Sequence, residues 1–282
     1  MGLGRLRSLL FVPAMNAAAI AKLASRGADA VVLDCEDATP PGQKVAARAA
    51  ARTAVPQLVE QGVTVTVRVN APGTEWFAED VAALHPRLAA VVVPKIERRD
   101  ELDALAGRLD DAGLPEVGVV AGLETALGVA DARPLLGHPR VVAAYFGAED
   151  FVADMGGRRT PGNTEVAYAR GHVALAARLA GVPVLDQVVT DFGDDERFRR
   201  EAAEALALGF AGKLCIHPRQ VTLANDAFRP SADEVDRARR LLAAYAAARA
   251  EGRGAIAFEG QMVDEPLAAQ ARRVVALADA AG

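Results

Sequence analysis

Two carboxylates that could bind a metal or take part in catalysis follow apolar segments of this 282-residue chain. Glu124 comes directly after VGVVAGL, and Asp150 comes directly after VVAAYFGAE. Two carboxylates at the ends of neighbouring strands can offer oxygen ligands to Mg²⁺ or Mn²⁺, leaving other positions for water and a chelating substrate. Because no cysteine or histidine cluster accompanies them, hard cations are favoured over zinc. The alternative is that each carboxylate only interacts with the dipole of a following helix.

Arg68 stands at the end of the alternating segment VTVTVRVN. A guanidinium there suits bidentate recognition of a carboxylate, or stabilisation of a developing enolate. The alternative is an ion pair with Glu36 or Asp37 at the rim of the fold. His217, just before Pro218, fits either a packed histidine or a ligand contact.

Further polar residues share this placement at the ends of apolar runs. In parallel α/β folds such residues gather where the carboxyl ends of the strands meet. We therefore expect one polar mouth, built from Asp34, Glu36, Asp37, Arg68, Asn70, Lys95, Glu124, Glu149, Asp150, Asp186 and His217.

Eight strands must position these side chains. The runs are continuously apolar, which is typical of parallel strands buried on both faces, and they alternate with alanine-rich helical segments. Without a Gly-rich dinucleotide motif, this alternation favours a (β/α)₈ barrel, although a doubly wound open sheet remains possible. The predicted strands are Leu6–Val12, Ala30–Asp34, Val63–Val69, Ala90–Val93, Val117–Ala121, Val141–Phe146, Val184–Val189 and Lys213–Ile216. The predicted helices include Ala17–Ser25, Lys44–Gln61, Arg98–Asp111, Glu165–Ala180 and Glu196–Leu208.

A C-terminal helical extension follows the barrel. We divide the chain into a catalytic barrel, residues 1–229, and an extension, residues 230–282. Ser231 and Glu234 have the spacing of a capping box, which predicts a helix over Ala232–Ala250. A glycine-rich turn comes next, and a last helix begins at Glu265.

Composition narrows the class of protein. The net charge is −5 with no basic run, which argues against nucleic-acid binding. Cys35 and Cys215 lie in apolar runs without metal-site spacing, so we expect two buried thiols. The apolar segment near the N-terminus is too short for a signal peptide or a membrane span, which predicts a cytoplasmic protein.

Several motifs together resemble the citrate lyase β-subunit-like branch of the HpcH/HpaI aldolase family. The resemblance runs almost from end to end of the chain. The motifs are RSLLFVPA at 7–14, VVLDCEDA at 31–38, QKVAAR at 43–48, VRVNAPGT at 67–74, VVVPKIE at 91–97, GLET at 122–125, FGAEDF at 146–151, GKLCIHPRQ at 212–220 and FEGQMVDEP at 258–266.

The resemblance implies a trimeric barrel, or a dimer of trimers, that cleaves a carbon–carbon bond β to an acyl-thioester carbonyl. Glu124 and Asp150 would hold Mg²⁺, with Mn²⁺ as a substitute, and Arg68 would contact the substrate. Citramalyl-, malyl- or citryl-CoA would give an acetyl thioester and pyruvate, glyoxylate or oxaloacetate.

The same resemblance gives the extension a role. It would pack as a lid on a neighbouring subunit and deliver Asp264 as a general acid or base. Asp264 also suits the N-cap of the last helix, so both interpretations stay open.

Lys22 would contact coenzyme A. Where some coenzyme A-dependent relatives have a tyrosine, this chain has Phe11, which leaves a substrate on an acyl-carrier protein open. Two other hypotheses remain: an aldolase of free 2-keto acids, and a non-catalytic subunit of a lyase complex.

Overall fold

A closed barrel of eight parallel strands forms the body of the molecule, as the computed structural model of residues 3–279 describes it. The strands follow one another in chain order around the barrel, and β8 pairs back with β1. The predicted (β/α)₈ barrel is confirmed. The strands are β1 (Ser8–Pro13), β2 (Ala30–Asp34), β3 (Val65–Arg68), β4 (Ala90–Val93), β5 (Gly118–Leu123), β6 (Val141–Phe146), β7 (Val184–Asp186) and β8 (Gly212–Cys215).

Apolar side chains fill the interior of the barrel. Residues such as Val32, Val92 and Val120 are fully buried there, as expected for parallel strands covered on both faces. β7 ends at Asp186 rather than at the predicted Val189, because β8 pairs with it only over two residues. The mouth is therefore set by strand ends on a rigid, apolar frame.

Helices surround the barrel, and apart from the short α1 each of them has buried residues. In α4, for example, Leu102, Leu105 and Leu109 are spaced by three and four residues and are fully buried. The helices of this layer are α1 (Ala17–Ile20), α2 (Lys44–Glu60), α3 (Phe77–Ala82), α4 (Arg99–Asp111), α5 (Ala126–Ala130), α6 (Ala132–Leu136), α7 (Ala148–Asp154), α8 (Ala167–Ala180), α9 (Asp195–Leu208) and α10 (Pro218–Ala227).

The first helix is shorter than predicted. Instead of one helix over Ala17–Ser25, α1 ends at Ile20 and a separate 3-10 turn spans Leu23–Ser25. The Ser25 hydroxyl donates to the Lys22 carbonyl at 2.9 Å, and such local side-chain bonds compete with helix continuation.

A second compact unit begins at Asp226, after a first unit that ends at Asn225. Its helix α11 (Ala232–Ala250) carries the predicted capping box, in which Glu234 N donates to Ser231 Oγ at 3.2 Å. The unit also contains a hairpin that was not predicted, β9 (Ile256–Phe258) and β10 (Gln261–Val263), before α12 (Glu265–Asp279). The extension is thus not purely helical.

Both cysteines are buried and free, as expected. Burial raises the pKa of Cys35 and of Cys215 to about 12, so both remain thiols rather than reactive thiolates. Within residues 3–279, no helix has the length and apolarity needed to cross a membrane.

Candidate active site

A bidentate ion pair holds Arg68 at the mouth of the barrel. Arg68 ends β3, and its Nε and Nη2 donate to the two carboxylate oxygens of Asp34 at 2.8 and 2.7 Å. Asp34 ends β2, and the strand register places the two residues side by side. Burial alone would lower the pKa of Arg68, but the hydrogen bonds and charge of Asp34 hold it well above its ordinary value. The guanidinium is therefore a fixed, permanent cation.

The third guanidinium nitrogen of Arg68 faces a second carboxylate. Nη1 lies 2.7 Å from Glu36 Oε2, yet within residues 3–279 that oxygen has no partner in hydrogen-bonding geometry. The rim ion pair weighed as the alternative for Arg68 is thus present. Nη1 also lies 3.6 Å from Asp37 Oδ2, so both carboxylates of that alternative contact it.

Four carboxylates of the mouth lie around the ammonium group of Lys95. Its backbone has a φ of 52°, in the left-handed region that side chains other than glycine rarely adopt. Lys95 Nζ donates to Glu36 Oε1 at 2.6 Å. The same nitrogen lies 3.4 Å from Asp150 Oδ1, 3.6 Å from Asp37 Oδ2 and 3.9 Å from Glu124 Oε2. Unusual backbone of this kind is often found at functional sites.

Glu124 occupies a tight buried niche directly after β5. It is 2% exposed, and a Cβ on Gly147 would come within 2.6 Å of Glu124 Cγ, so glycine at 147 leaves the space that this side chain occupies. Burial raises the pKa of the Glu124 carboxyl, although the hydrogen bond with Tyr145 and the charges of Arg68 and Lys95 act in the opposite direction. Its Oε2 is buried without a hydrogen-bond partner in the described part of the chain. Thr125, not Glu124, caps α5.

Asp150 completes the pair from the first turn of α7, with its side chain 40% exposed. One cation, Lys95 Nζ, already lies within 4 Å of oxygens of both Glu124 and Asp150. Residues 3–279 contain no group of three or more metal-binding side chains. Mg²⁺ in proteins is commonly held by one or two carboxylates plus water and substrate. The pair, with its unpartnered Oε2, fits such an ion.

A cavity of about 390 Å³ opens beside these groups. Asp34, Arg68, Glu124 and Asp150 line it, and Tyr145 lies among them. This volume suits a small organic ligand. Acidic and basic groups therefore meet in one space large enough for a substrate.

Asp186 was expected at this mouth, and that prediction is wrong. Its oxygens accept from Nε and Nη2 of Arg170 at 2.9 and 3.0 Å and from Lys213 Nζ at 2.9 Å. Leu185 and Leu214 face the interior of the barrel, so by strand alternation their neighbours Asp186 and Lys213 point towards the helices. Asp186 belongs to a buried structural ion pair.

Asn70 and His217 support loops at the rim. The backbone N–H and side-chain amide of Asn70 both donate to Asp80 Oδ2, at 2.9 and 2.5 Å. His217 stacks on Phe192 with ring centroids 5.0 Å apart, and its Nδ1 accepts from the Arg219 N–H at 3.2 Å. These contacts give both side chains a packing role.

Asp264 belongs to the second unit, between β10 and α12. Its carbonyl accepts from Ala268 N at 3.0 Å, so it stands at the start of α12 as the cap interpretation requires. Its Oδ1, however, is buried without a hydrogen-bond partner among residues 3–279. Lys22 is exposed on the turn after α1 and does not line the mouth cavity.

Two features of the mouth were not predicted from sequence. Lys95 was predicted among the strand-end polar residues. Its contact with four carboxylates accompanies a left-handed backbone conformation, which the sequence does not predict. Tyr145 lies inside an apolar strand, and the sequence predicts no role for it at the mouth. The one available signal was Gly122, where a Cβ would come within 2.5 Å of the Tyr145 hydroxyl.

Comparison with known proteins supports a family assignment. Residues 7–218 match the model of the HpcH/HpaI aldolase/citrate lyase family. A citrate lyase subunit beta-like protein of Deinococcus radiodurans is 50% identical over 274 residues, covering 96% of each chain. A (3S)-malyl-CoA thioesterase of Cereibacter sphaeroides is 34% identical over 276 residues, covering 97% of this chain and 95% of the relative.

Among solved structures, CitE of Mycobacterium tuberculosis in complex with magnesium, acetoacetate and coenzyme A is similar to this chain. The TM-score is 0.83 at 36% identity, and the match covers 98% of this chain and 99% of the other. This chain belongs to the HpcH/HpaI aldolase/citrate lyase family.

Proposed function

We propose that this chain is a Mg²⁺-dependent carbon–carbon lyase. It cleaves a 3-hydroxyacyl thioester, such as citramalyl-, malyl- or citryl-CoA, into an acetyl thioester and pyruvate, glyoxylate or oxaloacetate. The observation that carries the proposal is the mouth cavity, where Glu124, Asp150 and Arg68 come together in a chain of this family.

Glu124 and Asp150 hold the Mg²⁺ ion, or Mn²⁺ in its place. When bound, the ion acts as a Lewis acid on an oxygen of the 2-keto acid half of the substrate. The buried, unpartnered Oε2 of Glu124 and the cation already near both carboxylates support this assignment. Lys95 keeps its short bond to Glu36 and neutralises the excess negative charge of the mouth.

Arg68 binds the carboxylate of the 2-keto acid half. Asp34 fixes the plane of the guanidinium through two hydrogen bonds, so the group needs no reorientation when substrate enters. A preorganised cation stabilises charge that develops on oxygen in the transition state. Arg68 therefore serves both recognition and catalysis.

The proton transfers balance the bond cleavage. The substrate hydroxyl gives its proton to water and becomes the keto oxygen, while the electrons of the broken bond pass to the carbon next to the thioester carbonyl. That carbon takes a proton from Asp264 and leaves as the methyl group of an acetyl thioester, and Asp264 then recovers a proton from water, so that the transfers sum to zero. We place this Asp264 on the extension of a neighbouring copy of the chain.

The thioester half is bound outside the mouth. Lys22 offers an exposed ammonium group to the phosphates of coenzyme A. Phe11 provides no hydroxyl, so a thioester carried on an acyl-carrier protein is a second form of the same substrate. The active assembly is a homotrimer or a dimer of trimers in the cytoplasm, with residues 1–229 catalytic and residues 230–282 as the lid.

An assay that separates bond types tests this function. The purified chain is incubated with Mg²⁺ and each of the three thioesters, and all products are quantified by mass spectrometry. We expect equal amounts of acetyl-CoA and 2-keto acid, lost with a chelator and restored by Mg²⁺. Because one relative is a thioesterase by name, free coenzyme A must be measured as well.

Other product patterns identify the alternatives. Release of free coenzyme A with the hydroxy acid intact would mean hydrolysis. Turnover of only free 4-hydroxy-2-keto acids would mean a thioester-independent aldolase. No Mg²⁺-dependent turnover of any thioester would favour a non-catalytic subunit of a lyase complex.

A further inference from the structure

Lys44 is a buried cation that binds main-chain carbonyls instead of a carboxylate. It begins α2 and is 5% exposed. Its Nζ donates to the carbonyls of Glu36 and Cys35 at 2.7 and 3.1 Å, and it lies over the Trp76 ring, 5.2 Å from the centroid. No carboxylate of residues 3–279 forms an ion pair with this nitrogen. Because burial of an ammonium group without a counter-charge is costly, this arrangement needs an explanation.

The two carbonyls belong to the segment that follows β2. In this segment the two carboxylate oxygens of Asp34 bind Arg68, and Glu36 Oε1 accepts from Lys95 Nζ at 2.6 Å. The Glu36 N–H donates to Asp34 Oδ1 at 2.9 Å, which closes a tight turn between the two acids. The side chains of residues 34–36 thus hold both cations of the mouth, while Lys44 holds their backbone.

Asn70 binds the same backbone from the loop after β3. Its Nδ2 donates to the Cys35 carbonyl at 3.3 Å and to Asp80 Oδ2 at 2.5 Å. Asp80 in turn accepts from Arg48 Nε at 2.9 Å, and Arg48 lies one turn after Lys44 on α2. Hydrogen bonds therefore run from α2 to the segment by two routes. The motif QKVAAR supplies the cation that begins each of them.

We propose that Lys44 is a positioning residue that sets the place of the Glu36 carboxylate, and through it the places of Lys95 and Arg68. The inference rests on the proposed function and deepens it, since these two cations belong to the proposed site. Charge-assisted bonds to two successive carbonyls are stronger than bonds from a neutral donor, so they fix the course of the backbone. Misplacement of a substrate-binding group by about 1 Å can lower the rate about 10²-fold.

The substitution Lys44→Met tests this role, because methionine keeps an unbranched side chain and removes the ammonium group. Binding of pyruvate is measured by calorimetry at saturating Mn²⁺, which needs no turnover, and kcat/KM is measured on the best thioester. We expect pyruvate affinity and kcat/KM to fall by about 10–100-fold each.

Arg52→Met is the matched control. Arg52 also lies on α2, and its Nη1 donates to two main-chain carbonyls, those of Ala83 and Leu84, at 2.7 and 2.8 Å. That loop carries none of the residues assigned to the mouth. The control variant should therefore keep wild-type pyruvate affinity and kcat/KM.

A double-mutant cycle with Glu36→Gln distinguishes positioning from a general loss of structure. If Lys44 acts through Glu36, adding Lys44→Met to Glu36→Gln should weaken pyruvate binding by no more than about 2-fold further. Additive losses, or wild-type pyruvate affinity in Lys44→Met, would overturn the inference and leave the proposed function intact.

If Lys44→Met does not fold, Lys44→Arg replaces it in the same cycle with the same outcomes. Arginine keeps the charge, but its longer planar group cannot take the place of the ammonium group. A wild-type protein that binds no pyruvate in the presence of Mn²⁺ would overturn the proposed function and this inference together.

Discussion

At the scale of single residues, the mouth is an excess of carboxylates balanced by two fixed cations. Arg68 is committed to Asp34, while the Lys95 ammonium reaches four carboxylates. Like charges at such distances destabilise one another unless a cation lies between them. Glu124 and Asp150 can therefore accept a divalent ion with a gain in electrostatic balance.

Removing either carboxylate should remove the metal. Glu124→Ala and Asp150→Ala are each expected to lower Mn²⁺ affinity, measured by electron paramagnetic resonance, and to abolish metal-dependent turnover. Folding should change little, because each deletion reduces repulsion within the mouth. Glu79→Ala, at a carboxylate that is 70% exposed, is the control and should bind Mn²⁺ normally. Normal Mn²⁺ binding in either mouth variant would remove our metal site.

Glu36 should make the stability of the metal-free protein depend on pH. Burial raises its pKa to about 7 from the ordinary 4.5, against the pull of Arg68 and Lys95. The folded protein then binds this proton more tightly than the unfolded chain does. Its stabilising contribution is complete below pH 4.5 and is lost as the pH rises to about 7.

Urea unfolding between pH 4.5 and 7.5 measures this effect. In Glu36→Gln this fall in the free energy of unfolding should be missing, because glutamine does not titrate. The difference in the free energy of unfolding between the two proteins should therefore change with pH. Parallel curves over the whole range would contradict the raised pKa.

At the scale of elements, strand ends decide which side chains meet. The eight strands could be predicted because each is a distinct apolar run between helical segments. The direction of the Asp186 side chain could not be predicted, since β7 has only three residues, which are too few to show which positions face the barrel interior. The hairpin was missed because its strands are three residues long and its turn, Glu259-Gly260, lacks the usual Asn-Gly or Asp-Gly signal.

A substitution at Asp264, just before α12, separates a catalytic role of this residue from a structural one. Asp264→Asn should lower kcat by about 10²–10⁴-fold, as expected when a general acid is lost. Stability should hold, because the buried Oδ1 has no hydrogen bond to lose within residues 3–279. Ser231→Ala breaks the capping box of α11 and should cost about 1 kcal/mol of stability without changing kcat. If Asp264→Asn instead behaves like Ser231→Ala, Asp264 is only a cap.

At the scale of the whole molecule, one helix around the barrel carries an exposed apolar stripe. On α8, Tyr168, Leu175 and Leu179 are 80, 58 and 63% exposed at helical spacing along one side. Exposed apolar stripes of this kind commonly mark contacts between subunits. This stripe is where we expect a second copy to bind in the proposed assembly.

Mixing two inactive chains tests that arrangement. Glu124→Ala lacks a metal ligand and Asp264→Asn lacks the proton donor, so each alone should be inactive. Co-assembled, a barrel of the second variant can receive Asp264 from a copy of the first. Roughly a quarter of wild-type activity should return if the mixing is random. No recovery, in oligomers shown by mass to be mixed, would place Asp264 and the barrel of one site on the same chain.

The central claim is that Glu124 and Asp150 form a metal site that presents a 2-keto acid to Arg68. A crystal structure with Mn²⁺ and pyruvate, analysed by anomalous scattering, tests it most directly. We predict one anomalous peak shared by the two carboxylates, about 2 Å from an oxygen of each, with the pyruvate carboxylate against Arg68 Nη1. A peak elsewhere, or pyruvate bound away from both carboxylates, would contradict the account.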